Sequence, residues 1–125
     1  MDVRIEIEQF HVHVFVAGEF DVAAARAGIV RIVEACRRSG LERVLVDGRG
    51  IDSTVSVMHR HEIALALALE KAPAHLRMAV VVSRHNMFTK ALEQSATKMK
   101  IDVHTTDSMA EALAFLGLQG RDERG

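Results

Sequence analysis

The sequence predicts a single α/β domain with a mixed, mostly parallel sheet, and three observations carry that prediction. Two short apolar runs, Val44-Leu45-Val46 and residues 78–82, have the look of strands buried on both faces. The segments around them repeat their apolar residues at helical spacing. At the N-terminus, Val3, Ile5 and Ile7 instead alternate with Asp2, Arg4, Glu6 and Glu8, the pattern of a strand with one wet face. The resulting order is ββαβαβαβα over residues 1–117, with an antiparallel edge strand, flanking helices and a frayed tail at 118–125.

Each element has a local reason. Gln9 and Phe10 connect the first strand to a second at 11–17, with Val12, Val14 and Val16 on one face and His11, His13, Phe15 and Ala17 on the other. The charges of the first strand guard the sheet edge. Asp21 is an N-cap for a helix to Ser39, whose stripe is Val22, Ala25, Ile29, Ile32, Val33 and Cys36. Arg37 and Arg38 suit its last turn, and Gly40 stops it. After the strand at 44–46, a turn-rich break is expected at Asp47, Gly48, Arg49 and Gly50. A second helix runs over 57–72 and ends at Pro73. The strand at 78–82 leads through Ser83, Arg84, His85 and Asn86 to a third helix at 87–99, with Phe88, Ala91, Leu92, Ala96 and Met99 inward. A last strand at 101–104 precedes a final helix, where Ser108 and Glu111 have capping-box spacing. Met109, Ala112, Leu113 and Leu116 form its buried stripe, and Gly117 closes it. The expected central core is Val44, Val46, Val80, Val82, Ile32, Leu92 and Leu113.

Composition narrows the function. Of 125 residues, 49% are hydrophobic, enough for a substantial core. Sixteen basic against 17 acidic residues leave a net charge of −1, so no global field favours nucleic acid or an anionic membrane. Five Phe, with no Trp or Tyr, argue against base-stacking surfaces. Cys36 is the sole cysteine, which excludes an internal disulfide and a thiolate cluster. The charged, alternating N-terminus does not resemble a signal peptide, and no apolar run approaches a transmembrane segment, so a cytoplasmic protein is expected.

The candidate site lies in residues 41–57, LERVLVDGRGIDSTVSV, because sites in open parallel sheets gather at the carboxyl ends of strands. Ser53, Thr54 and Ser56 are candidate phosphoacceptors, since phosphate is favoured at a helix N-terminus; the plainer reading is that one of them caps the helix. Asp47, Arg49, Asp52 and Arg84 are candidate ligand contacts at the strand ends, with an ordinary Asp47–Arg49 ion pair as the simpler account. Seven histidines invite a metal reading, but His59 and His61 stand about 200° apart on a helix and no ligand motif is present. GRG at 48–50 lacks phosphate-loop spacing, and no GxSxG occurs. No metal or cofactor is implied.

VLVDGRGIDST at 44–54, RMAVVVS at 77–83 and DVHTTDSMAEALAFL at 102–116 resemble the STAS domain, the small α/β module of bacterial anti-sigma-factor antagonists and sulfate-transporter tails. The likeness covers residues 1–117 and is nearest to the stand-alone bacterial branch grouped with lipid-binding, Sec14-like folds. It implies a STAS-like fold and a regulatory, non-enzymatic role. In the antagonists, an Asp-Ser pair before the second helix is phosphorylated by a partner kinase to switch partner binding, and Asp52-Ser53 stands in that place. Here only four residues separate Asp47 from Asp52, and no Gly-Leu follows Ser53-Thr54.

A protein-interaction module is therefore the first expectation. A binder of a small apolar or lipid-like ligand under the second helix is the alternative, and a small hydrolase comes last. The second helix also carries apolar residues on two sides: Ile63 and Leu67 on one, Leu65 and Leu69 nearly opposite. Only one side can pack on the sheet, so a two-fold homodimer through this helix, with Met58 beside it, is expected.

Overall fold

Five strands form one sheet in the computed structural model, whose described residues are 1–118. β1 (Asp2–Ile7) and β2 (Val12–Gly18) pair antiparallel at one edge; β3 (Arg43–Ile51), β4 (Arg77–Val82) and β5 (Asp102–Thr106) follow in parallel. α1 (Val22–Ser39) crosses from β2 to β3, α2 (Val57–Leu69) from β3 to β4, and α3 (Ala91–Lys98) from β4 to β5. The spatial order β1-β2-β3-β4-β5 advances in one direction, so right-handed crossovers put all three helices on the same face. α4 (Met109–Leu116) alone packs on the other face, against β3, β4 and β5. Among the described residues, no helix is long and apolar enough to cross a membrane.

The expected caps form. Asp21 accepts from the Ala23 N–H at 2.9 Å, and Gly40, at φ 75°, closes α1 by donating to the Cys36 carbonyl. The Ser56 and Ser108 hydroxyls cap α2 and α4. Glu111 leaves the capping box half made: its carboxylate bonds His104 and the Thr106 hydroxyl, and the Ser108 N–H takes Thr106 Oγ1 instead.

Several boundaries differ from the sequence reading. Residues 47–50 are not a turn: β3 continues to Ile51, with Asp47 and Gly48 paired to Val81 and Val82 and Gly50 to Ala17. Glycine makes this possible at a register shift in β2, because a Cβ on Gly50 would lie 2.9 Å from that of Ala17. α2 ends at Leu69, three residues short of the expected end, with Glu70 as its C-cap. α3 begins at Ala91 rather than 87, since Arg84–Asn86 form a separate 3-10 turn; Phe88, expected inward, is exposed on the intervening loop. The last strand sits at Asp102–Thr106, shifted along from 101–104. The tail expected at 118–125 lies outside the described residues except for Leu118, which is buried.

Strand alternation splits the core in two. Val12, Val14, Val44, Met78 and Val103 meet Ile29, Ile32, Val33, Leu67, Leu92 and Ala96 on the three-helix face. Leu45, Ala79 and Val81 meet Ala112, Leu116 and Leu118 on the α4 face. Of the expected core, Val44, Val82, Ile32 and Leu92 are buried, whereas Val46, Val80 and Leu113 are only partly so.

Candidate functional site

The partial exposure of Val46 and Val80 has a specific cause. Both lie mid-strand in the centre of the sheet, where helices cover them, yet both line an apolar cavity of about 120 Å³ between the sheet and helices α1 and α2. Sequence explains the void. β2, β3 and β4 line it with Val14, Val46 and Val80, all short side chains, and α1 lines it with Ala25 and Gly28 as well as Ile29 and Ile32, Gly28 lying against Val3 of β1. A well-packed interior keeps few voids larger than a water, so an apolar one of this size at the sheet centre stands out.

α2 supplies the other wall. Its inward stripe is Arg60, Ile63, Ala64 and Leu67, at the i, i+3, i+4, i+7 spacing of one helix face. Arg60 is thus a cation in an apolar stripe, only 3% exposed. Its Nε donates to the Val55 carbonyl at 2.9 Å, and its Nη2 to the Asn86 carbonyl at 2.9 Å and Asn86 Oδ1 at 3.2 Å. The Phe88 ring covers it, 4.9 Å from the guanidinium carbon, which accounts for that exposed aromatic. Burial lowers the Arg60 pKa from the usual guanidinium value. Asn86, itself buried, also accepts from the Val55 N–H at 2.8 Å and donates to the Ser53 carbonyl at 3.0 Å, so it ties the start of α2 to the end of β4. Arg60, Asn86 and Thr105 all line the cavity.

The sequence candidates scatter around this site. Ser53 is half-buried, and its hydroxyl accepts from the Phe20 N–H at 2.8 Å. Thr54 and Ser56 are exposed at the start of α2, and Ser56 accepts from the His59 N–H at 3.1 Å. Asp52 is exposed, its N–H bonded to the Gly18 carbonyl, and Arg84 is exposed in the 3-10 turn. Asp47 and Arg49 lie across the sheet from the cavity, since Asp47 pairs with Phe15 and Val81 on the α4 face. They form a bidentate ion pair, with Nε and Nη2 at 3.0 and 2.8 Å from the carboxylate. The Arg49 side-chain bond chiefly holds the Asp47 carboxyl below its usual range. The pair is local, as the simpler account has it, but it sits on a strand rather than in a turn.

On α2, Ile63 and Leu67 face in while Leu65, Leu69, Val57 and Met58 face out, with Leu69 and Met58 about 70% exposed. Beside them, Val30 of α1 and the pair Leu65 and Leu69 line a shallow groove edged by Arg26 and Glu62, which are themselves bonded at 2.9 Å. No group of three or more His, Cys, Asp or Glu among the described residues is placed to hold a metal ion.

Sequence reasoning missed Arg60, Asn86 and Thr105. The signal was present for Arg60, which sits four and seven residues before Ala64 and Leu67 on the stripe that packs inward. Asn86 and Thr105 gave none, because their roles come from distant segments meeting. Compared with protein-family models and with curated protein sequences, the chain matches none.

Proposed function

We propose that the protein is a non-enzymatic binding module that takes a small apolar molecule into the cavity beneath α2. The observation carrying this is that Val46 and Val80, at the centre of the sheet and packed beside the core, still keep accessible surface on an apolar cavity. Binding pockets are concave and mainly apolar, with a few placed polar groups, and this wall has that composition. A comparable dry cavity of about 150 Å³ accepts benzene. The test is a toluene titration followed by methyl NMR and thermal unfolding. Saturable shifts of the Val46 and Val80 methyls and a higher Tm are expected. Unmoved methyls at the solubility limit of toluene would refute the reading.

A second reading has its own observation. The outward apolar row Val57, Met58, Leu65 and Leu69 favours a regulatory module of STAS type acting through protein contacts, here a two-fold homodimer. A likeness to that family is supported by the element order, whereas at the family's phosphoacceptor position the Ser53 hydroxyl is half-buried and accepts from the Phe20 N–H. The setting we assign is cytoplasmic, in keeping with a free, buried Cys36 whose thiol pKa burial pushes up to about 11. Sedimentation decides the assembly: wild type should be dimeric at micromolar concentration and Leu69→Glu a folded monomer. A monomeric wild type removes the homodimer.

A further inference from the structure

Among the described residues lining the cavity, Arg60 carries the only charged side chain. It has no carboxylate within ion-pair distance among the described residues, although its side chain is almost wholly out of water. Its four bonded neighbours in the site are neutral: the carbonyls of Val55 and Asn86, Asn86 Oδ1 and the Phe88 ring. They orient the guanidinium without balancing its charge, and Nη1 makes no hydrogen bond among the described residues. A buried charge without a counter-charge is costly, and an apolar residue would complete the stripe of Ile63, Ala64 and Leu67 at no such cost. Thr105 repeats the pattern. It is 4% exposed, it lines the same cavity, and its Oγ1 has no hydrogen-bond partner among the described residues, though a valine of the same shape would fill the space.

We propose that the cavity selects a small monocarboxylate, with the apolar body among Val14, Val46 and Val80 and the carboxylate facing Arg60. This rests on the cavity reading above and names its ligand class. One guanidinium in an apolar wall matches one negative charge; a dianionic phosphate would bring a second negative charge with no partner there. Nη1 supplies charge-assisted donors, and the Thr105 hydroxyl supplies a neutral one on the same cavity. The Phe88 ring lies 4.9 Å from the guanidinium carbon and holds it by a cation–π contact that carries no counter-charge. The volume of about 120 Å³ limits the body to roughly the size of a benzene ring.

The test titrates the whole chain with benzoate, benzyl alcohol and toluene at neutral pH, reading the Val46 and Val80 methyls and the Arg60 Nε–H by NMR. Benzoate should bind about tenfold or more tighter than benzyl alcohol, the worth of a charge-assisted hydrogen bond. It should also shift the Arg60 Nε–H, whereas toluene should leave that resonance in place. Thr105→Val, which keeps the packing, should bind toluene as wild type does and benzoate more weakly. Arg60→Met should lose the preference for benzoate while still binding toluene; if that variant does not fold, the Nε–H shift and Thr105→Val carry the test. Toluene binding without a benzoate preference overturns the carboxylate assignment and leaves the cavity reading standing. Failure of all three probes to bind overturns both.

Discussion

The two faces of the sheet are made from the same strands but filled to different degrees. On the α4 face, Leu45, Ala79 and Val81 have no solvent-accessible surface, because Ala112, Leu116 and Leu118 close over them. One residue along each strand, Val46 and Val80 point the other way and border a void. The difference lies in what the helices bring. α4 carries Leu113, Phe115 and Leu116 to a small area, whereas α1 lines the cavity partly with small residues, Ala25 and Gly28, beside Ile29 and Ile32. A layer of helices therefore does not guarantee a filled layer. Where small residues face short ones, space remains, and one buried cation on its wall makes that space selective.

The largest effects are expected at neighbouring valines of β4. Val81→Ala on the tight face should cost about 2–3 kcal/mol, from lost transfer energy plus a new cavity. Val80→Ala only enlarges an existing void, and about half that cost is expected, measured by urea unfolding. Equal costs would mean that the two faces are equally packed. Added volume should act in reverse. Val81→Ile should cost about 1–3 kcal/mol through overpacking, whereas Val80→Ile should be close to neutral and should weaken toluene binding.

The Asp47–Arg49 pair gives a smaller, pH-dependent effect on the tight face. Because the folded carboxyl titrates below its ordinary value, it stabilises the protein above the usual carboxylate pKa, and that contribution fades as pH falls through the folded pKa. Arg49 is half-exposed, so Asp47→Asn should cost no more than about 1 kcal/mol at neutral pH. The gap from wild type should close in acid; a gap independent of pH would assign the effect to packing. Smallest is Gly28→Ala in α1, where a Cβ meets only the Val3 side chain, at 3.4 Å beside the cavity. Removing a helix-interior glycine there should raise stability by up to about 1 kcal/mol, whereas a loss would show that the cavity wall is already closed.

Much of the fold was legible because local rules and tertiary packing agree. Asp21, Gly40, Ser56, Ser108 and Gly117 end helices as their chemistry requires. The apolar runs at 44–46 and 78–82 lie in central strands, and Ile5 alternates with charge on an edge strand. The failures are places where distant contacts override local preference. Gly48 and Gly50 read as a turn, yet they extend β3 because a bulge in β2 brings Ala17 too close for any side chain at residue 50. Phe88 read as core, yet it serves Arg60 from outside. The site was less legible than the fold. The two-sided character of α2 was visible, but its inward side was not, since Ile63 and Leu67 resemble Leu65 and Leu69 in every local respect. Nor does a valine run say whether the helix above it will bring Leu or Gly.

If the space beneath α2 can hold an apolar body, it should also take up xenon. Crystals pressurised with xenon test this most directly, because xenon occupies apolar voids without needing a hydrogen bond. One ordered xenon is expected between Val46, Val80 and Leu67, with none on the α4 face beside Leu45 and Val81. Xenon absent from the α2 side, with α1 and α2 packed down on Val46 and Val80, would contradict this expectation.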